Sequence, residues 1–160
     1  MRRPLLVLVL LATITVGWAQ AAFAYVHGPS GSPQTDHASR LQKLARRVVA
    51  YARHQVGVAY SWGGTSPRTG FDCSGLVYAA YRSIGWKIPR SSWDQLRVGR
   101  PVRFARLRPG DLLFTEGGGH VQLVISKRTA ISAPQTGERV RYVPLARLRP
   151  QFAGARRLLR

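Results

Sequence analysis

Between residues 41 and 52 the chain places Leu41, Leu44, Ala45, Val48, Val49 and Ala52 three and four positions apart. Arg40, Lys43, Arg46, Arg47 and Arg53 fill the gaps. That spacing gathers the apolar side chains on one face of a helix and leaves the cations on a solvated face. Asp36 or Ser39 offers a cap at the start, and Gly57 a stop at the end. A second stripe, Leu76, Val77, Ala80, Tyr81 and Ile84, starts at Asp72-Cys73 and closes at Gly85. The pattern then changes to short apolar runs at 111–114, 121–125, 130–133 and 140–143, separated by Gly, Ser-Lys-Arg and Gln-Thr-Gly turns. Helices first and strands second predict an α+β fold, with N-terminal helices packed on a small antiparallel sheet.

The first residues follow a different pattern. Arg2 and Arg3 precede an apolar run from Leu5 to Val16, and Ala22-Phe23-Ala24 supplies a small-x-small cleavage pattern. Residues 1–24 therefore read as a secretory signal, which places the mature protein outside the cytoplasm, secreted or associated with the cell wall. The run is shorter than the roughly 20 apolar residues that cross a bilayer, and Gly17 and Gln20 interrupt it, so no stable membrane anchor is expected. Residues 25–36, with Gly28, Pro29, Ser30, Gly31, Ser32 and Pro33, read as a flexible linker. Residues 37–160 then form one domain, and 45% apolar residues supply its core.

Charge narrows the partners. Twenty-five Lys and Arg stand against six Asp and Glu, a formal charge of +19 that becomes +17 once Arg2 and Arg3 are removed. Such a balance favours anionic partners: nucleic acid, a membrane surface or anionic cell-wall polymers. Export, and the absence of a basic helix interleaved with base-stacking aromatics, set nucleic acid aside. The acids are scattered with no H-E-x-x-H string or calcium-loop pattern, so no metal or other cofactor is expected. Gly117-Gly118-Gly119 lacks the Gly-Lys-Ser/Thr string of a phosphate loop and reads as a turn.

Cys73 is the one cysteine. At a helix start, unpaired N–H groups and the positive end of the macrodipole favour a thiolate, the nucleophilic form. The plain alternative is a small buried hydrophobe, against which stand the polar and small neighbours Ser74 and Gly75. A thiol nucleophile needs a base. His27 and His37 lie in or beside the linker and His54 near the end of the first helix, whereas His120 opens an apolar strand right after Glu116-Gly117-Gly118-Gly119.

These residues sit in strings that resemble a known family. Tyr60-Ser61-Trp62-Gly63-Gly64, Phe71-Asp72-Cys73-Ser74-Gly75-Leu76-Val77, Pro89-Arg90-Ser91-Ser92, Pro109-Gly110-Asp111-Leu112-Leu113-Phe114 and Gly119-His120-Val121 follow one another in the order of the NlpC-type cell-wall cysteine peptidases. The resemblance spans Val48 to about Val143. It implies a papain-like fold and hydrolysis of peptidoglycan stem peptides, commonly between D-γ-glutamate and a diamino acid. It implies Cys73 as nucleophile and His120 as base, with Tyr60 beside the nucleophile. Asp72 matches an acid that in some members holds the free amine of the substrate's alanine, a role compatible with capping the helix. Ser74 joins the expected substrate-binding residues, and Ser91 and Ser92 match a Ser/Thr position near the groove.

The third catalytic position departs from the family pattern. Ser132, in Ile131-Ser132-Ala133-Pro134, stands where the family usually has His, and a hydroxyl fixes a tautomer without charge to stabilise imidazolium. Gln122, on the same strand face as His120 by alternation, is an alternative partner for the base. Two rival functions remain on the same scaffold: a non-hydrolytic wall-binding module, against which Cys73 and His120 argue, and an amidase or acyltransferase that shares the acyl-enzyme step.

Overall fold

The computed structural model describes residues 33–160; the signal expected at 1–24 and the linker up to residue 32 lie outside them. Helix α1 runs Pro33–Arg53. It starts earlier than the Asp36 or Ser39 cap expected, so residues 33–36, assigned above to the linker, are helical. The physical reason is that proline suits a first turn, where its missing N–H would have had no partner. Asp36 then falls inside that turn, beside the positive end of the helix, and Ser39 donates to the Asp36 carbonyl at 2.8 Å instead of capping.

A hairpin of β1 (Thr65–Ser66) and β2 (Gly70–Phe71) leads into α2 (Cys73–Arg82), whose cap is Asp72. After the short α3 (Ser92–Gln95) come β3 (Arg100–Pro101), a 3-10 turn at Phe104–Arg106 and β4 (Leu112–Thr115). A second 3-10 turn, Glu116–Gly118, connects to β5 (His120–Val124), followed by β6 (Thr129–Ser132) and β7 (Arg141–Pro144). The chain closes with α4 (Leu145–Leu148), a 3-10 turn at Arg149–Gln151 and β8 (Gly154–Arg157).

Six strands form one antiparallel sheet in the order β3-β8-β4-β5-β6-β7. The expected strands lie within a residue or so of their places, but β3 and β8 were not anticipated. Gly154-Ala155-Arg156-Arg157 has no apolar alternation; its backbone is what joins the sheet, filling the slot between β3 and β4.

Val48 and Ala52 of α1 and Leu76, Val77 and Tyr81 of α2 pack on Phe114, Val121, Leu123 and Ile131. The other sheet face carries a smaller cluster around Leu113, Val124, Val143 and Leu148. With both faces covered, all four residues of β4 are buried, which is why its sequence shows a continuous apolar run. Buried Tyr81 ties the two layers by donating its hydroxyl to the Gly110 carbonyl at 2.6 Å. Tyr81→Phe leaves that carbonyl unpaired inside the protein and is expected to cost about 1–3 kcal/mol at an unchanged denaturant slope. A loss below about 0.5 kcal/mol in urea unfolding would show that water satisfies Gly110 instead.

Candidate active site

The site is built around the first turn of α2. The Asp72 carboxylate accepts from the Gly75 amide at 2.6 Å and from the Gly63 amide at 2.8 Å. Arg90 grips the same carboxylate with two N–H groups, at 2.9 and 2.6 Å, and also donates to Ser74 Oγ at 2.8 Å. Ser74 Oγ in turn donates to Asp72 at 3.3 Å. Five donors thus fill a buried carboxylate. Burial alone pushes its pKa up, and Arg90 with the Gly75 and Gly63 amides more than reverses this, holding it below the ordinary carboxylate value. The close approach requires glycine at 75, since a Cβ there would lie 2.0 Å from the Gly64 carbonyl oxygen. The helix start and the Gly63-Gly64 loop are therefore locked together, and Cys73 sits at the junction.

Cys73 is half-buried. Burial and the Asp72 carboxylate push its thiol up, while the Val121 and Ser74 amides and the Ser74 hydroxyl pull it down without prevailing. The thiolate expected from a helix start alone is therefore not the resting form; desolvation outweighs the oriented N–H groups. Burial likewise pushes His120 below its usual value, against a weaker opposing pull from Glu116. Both shifts favour the uncharged forms, thiol and neutral imidazole.

The Val121 amide is among the groups that pull the Cys73 thiol down, and His120 is the residue before it at the start of β5. His120 Nε2 and Ser132 Oγ are 2.9 Å apart across β5 and β6, which leaves Nδ1 to exchange a proton. Gln122, the alternative partner, donates to Thr115 Oγ1 at 3.1 Å instead. Tyr60 also belongs here: burial first, then Cys73 and Asp72, raise its phenol pKa, so its ring lies within their field.

The remaining expected substrate residues bond within the protein. Ser91 caps α3, accepting from the Asp94 amide at 3.2 Å and donating to the Asp94 carboxylate at 2.6 Å. Ser92 donates to the Gly119 carbonyl at 3.0 Å and so tethers α3 to the residue before His120. Asp72 and Ser74 belong to the Arg90 clamp. No role for Arg90 was legible in the sequence, although it lies within Pro89-Arg90-Ser91-Ser92; the available signal was the excess of 25 Lys and Arg over six acids, which gives any enclosed acid a cation to meet. Gln95 was also missed. Fully buried, it donates to the Ser74 and Pro89 carbonyls at 3.1 and 2.9 Å. Among the described residues, no group of three His, Cys, Asp or Glu could hold a metal ion, and no helix is long and apolar enough to cross a membrane.

The fold that carries these residues matches known proteins. The pattern describing the NlpC/P60 family covers residues 57–156. The chain belongs to the NlpC/P60 family. It is 36% identical over 140 residues to the murein DD-endopeptidase MepH of Escherichia coli, covering 81% of this chain and 52% of MepH. It is 38% identical over 140 residues to the peptidoglycan endopeptidase RipB of Mycobacterium tuberculosis, covering 74% and 58%. The solved RipB structure superposes with a TM-score of 0.69 at 32% identity, over 81% of this chain and 73% of that one. The NlpC/p60 domain of the peptidoglycan hydrolase SagA gives 0.65 at 30% identity, over 71% and 98%. The α+β fold is thus the papain-like fold of NlpC/P60 domains. The chain spans about half the length of curated relatives such as MepH.

In this NlpC/P60 domain, Arg90→Gln is expected to cost roughly 2 kcal/mol or more at neutral pH, because it leaves Asp72 buried without its cation. The folded carboxyl titrates below its unfolded value near 3.9, so the stability from the clamp is present above about pH 4 and is lost as pH falls through the folded value. Urea unfolding of both proteins from pH 7 to pH 2 checks this: the gap should narrow on acidification, and a constant gap contradicts it.

Proposed function

We propose that the protein is a secreted peptidoglycan endopeptidase that cleaves stem peptides through a Cys73 acyl-enzyme. The observation that carries this reading is the 2.9 Å His120–Ser132 pair beside a nucleophile at the start of α2. Nδ1 of His120 takes the thiol proton as the sulfur attacks the stem-peptide carbonyl. The Cys73 amide, at the helix start, is oriented to stabilise the oxyanion. His120 then passes the proton to the departing amine, and water releases the acyl group. Ser132 holds the imidazole, Tyr60 borders the nucleophile, and the Asp72–Arg90 clamp with Ser74 fixes where Cys73 stands. Ser91 and Ser92 set the wall of the groove through α3. The charge, +17 once Arg2 and Arg3 are removed, serves retention on anionic wall polymers.

The bond proposed is the one between D-γ-glutamate and a diamino acid. Similarity to MepH, whose name specifies a DD-endopeptidase, favours a D,D cross-link as the second reading. Mass spectrometry of defined linear and cross-linked stem peptides, incubated with the protein and with Cys73→Ala, separates these. A Cys73-dependent product names the bond. Absence of any product from every peptide, with wall binding retained by both proteins, would establish a binding module instead.

The uncharged Ser132 gives a graded expectation. Ser132→Ala should lower kcat by roughly tenfold to a hundredfold, less than the ~10,000-fold known for losing the proper orienter of a charged triad. Because His120 must be neutral to act and burial holds it below 6.5, kcat/KM should rise with pH along a limb centred below 6.5. A limb at or above 6.5 in the pH profile of stem-peptide turnover contradicts the neutral-pair mechanism.

A further inference from the structure

A cleft of about 270 Å³ lies at the β3 edge of the sheet, lined by Arg100, Arg103, Arg106 and Arg157 with Pro101 and Val102. So many guanidinium groups around one cleft raise the local positive potential and favour an anion there. Only Arg157 has an acid partner, Asp111, which it meets through two N–H groups at 2.7 Å each. Arg100, Arg103 and Arg106 are exposed, and among the described residues no acid faces any of them.

The cleft is rigidly made. Arg100 and Arg157 are directly opposed in the β3–β8 register. Gly99 permits that approach: its φ is +77°, and a Cβ there would lie 2.7 Å from the Arg157 carbonyl oxygen. Arg157 also donates to the Arg106 carbonyl at 3.0 Å, tying the strand to the 3-10 turn. Arg103, the cap residue of that turn, and Arg106, its last residue, both line the cleft. Phe104, between them, is fixed edge-on against Phe152, with ring centres 5.3 Å apart. A cation and a proline on an edge strand also discourage strand pairing between molecules, but that task explains neither Arg103 nor Arg106.

We propose that this cleft binds the phosphate groups of a phosphodiester-linked wall polymer. Guanidinium forks match the paired oxygens of a phosphodiester, and Pro101 and Val102 supply an apolar wall for the carbon linker between phosphates. The site is separate from catalysis. β3 is three strands from β5, and Arg100 and Arg157 lie at the opposite strand end from His120. Strand spacing and rise put Arg100 roughly 15–20 Å from His120. Naming a wall polymer as the source of the phosphate rests on the wall-hydrolase reading; the phosphate chemistry does not.

The test is calorimetric titration with a synthetic poly(glycerol phosphate) oligomer at several salt concentrations. It compares the protein, R100Q/R103Q/R106Q, and R40Q/R46Q/R47Q, which removes equal charge from the exposed face of α1. The cleft variant should bind at least about tenfold more weakly with a salt slope reduced by about two to three, and the α1 variant less than about threefold more weakly. Equal losses in both variants would overturn the site in favour of diffuse charge, as would an unchanged cleft variant. Equal affinity for polyglutamate of matched charge would overturn the preference for phosphate, and tighter binding of a single-stranded DNA oligomer would overturn the wall polymer. Soluble stem-peptide cleavage, measured alongside, should be the same in all three proteins. Absence of cleavage in all three would reject the hydrolase reading while leaving the phosphate result intact.

Discussion

One buried carboxylate organises this molecule. Asp72 caps α2, anchors the Gly63 loop and receives both arms of Arg90, which comes from a segment eighteen residues further on. In water each of these bonds contributes little, because solvent competes for every partner. Enclosed, the carboxylate is costly to leave unpaired, so the loop, the helix start and the α3 segment must come together or none is satisfied. The position of Cys73 follows from that constraint, as does the glycine at 75, where no side chain fits between helix and loop.

The same carboxylate influences the chemistry next to it. Its charge works against the thiolate, and the burial that makes the clamp strong works against any isolated charge nearby. A neutral resting pair is the consequence, and it suits the neutral Ser132. A hydroxyl can hold an uncharged imidazole through one hydrogen bond, but it offers no charge once the ring becomes cationic. A protonated thiol is also a poor target for oxidants. The residues around Cys73 favour its uncharged form.

Charge on the rest of the molecule is divided by the same scarcity of acids. Four of the six acids are in ion pairs, with Arg90, Arg97, Arg141 and Arg157. The two best-buried pairs, at Asp72 and Asp111, hold tertiary contacts, one at the active site and one at the far end of the sheet. The arginines left over are concentrated on exposed faces, so the positive field is directed outward. The arginine-lined cleft and the Cys73–His120 site lie at different ends of one sheet, so the two do not share a surface.

The sequence by itself determined what depends on neighbours in the chain. The apolar stripe of α1, the capped start of α2 at Asp72-Cys73 and the strand opening at His120 are local patterns, and with the family resemblance they pointed to Cys73, His120 and Ser132 as candidates. Tertiary structure decided what depends on distance along the chain. β8 has no alternation to announce it and enters the sheet by backbone pairing alone. Arg90 meets Asp72, and Arg157 meets Asp111, across 18 and 46 positions. The choice of Ser132 over Gln122 as partner of His120 rests on the packing of three strands. The protonation of Cys73 and His120 was beyond any local pattern, because a helix start favours thiolate and only the surrounding fold sets how much water is lost to oppose it.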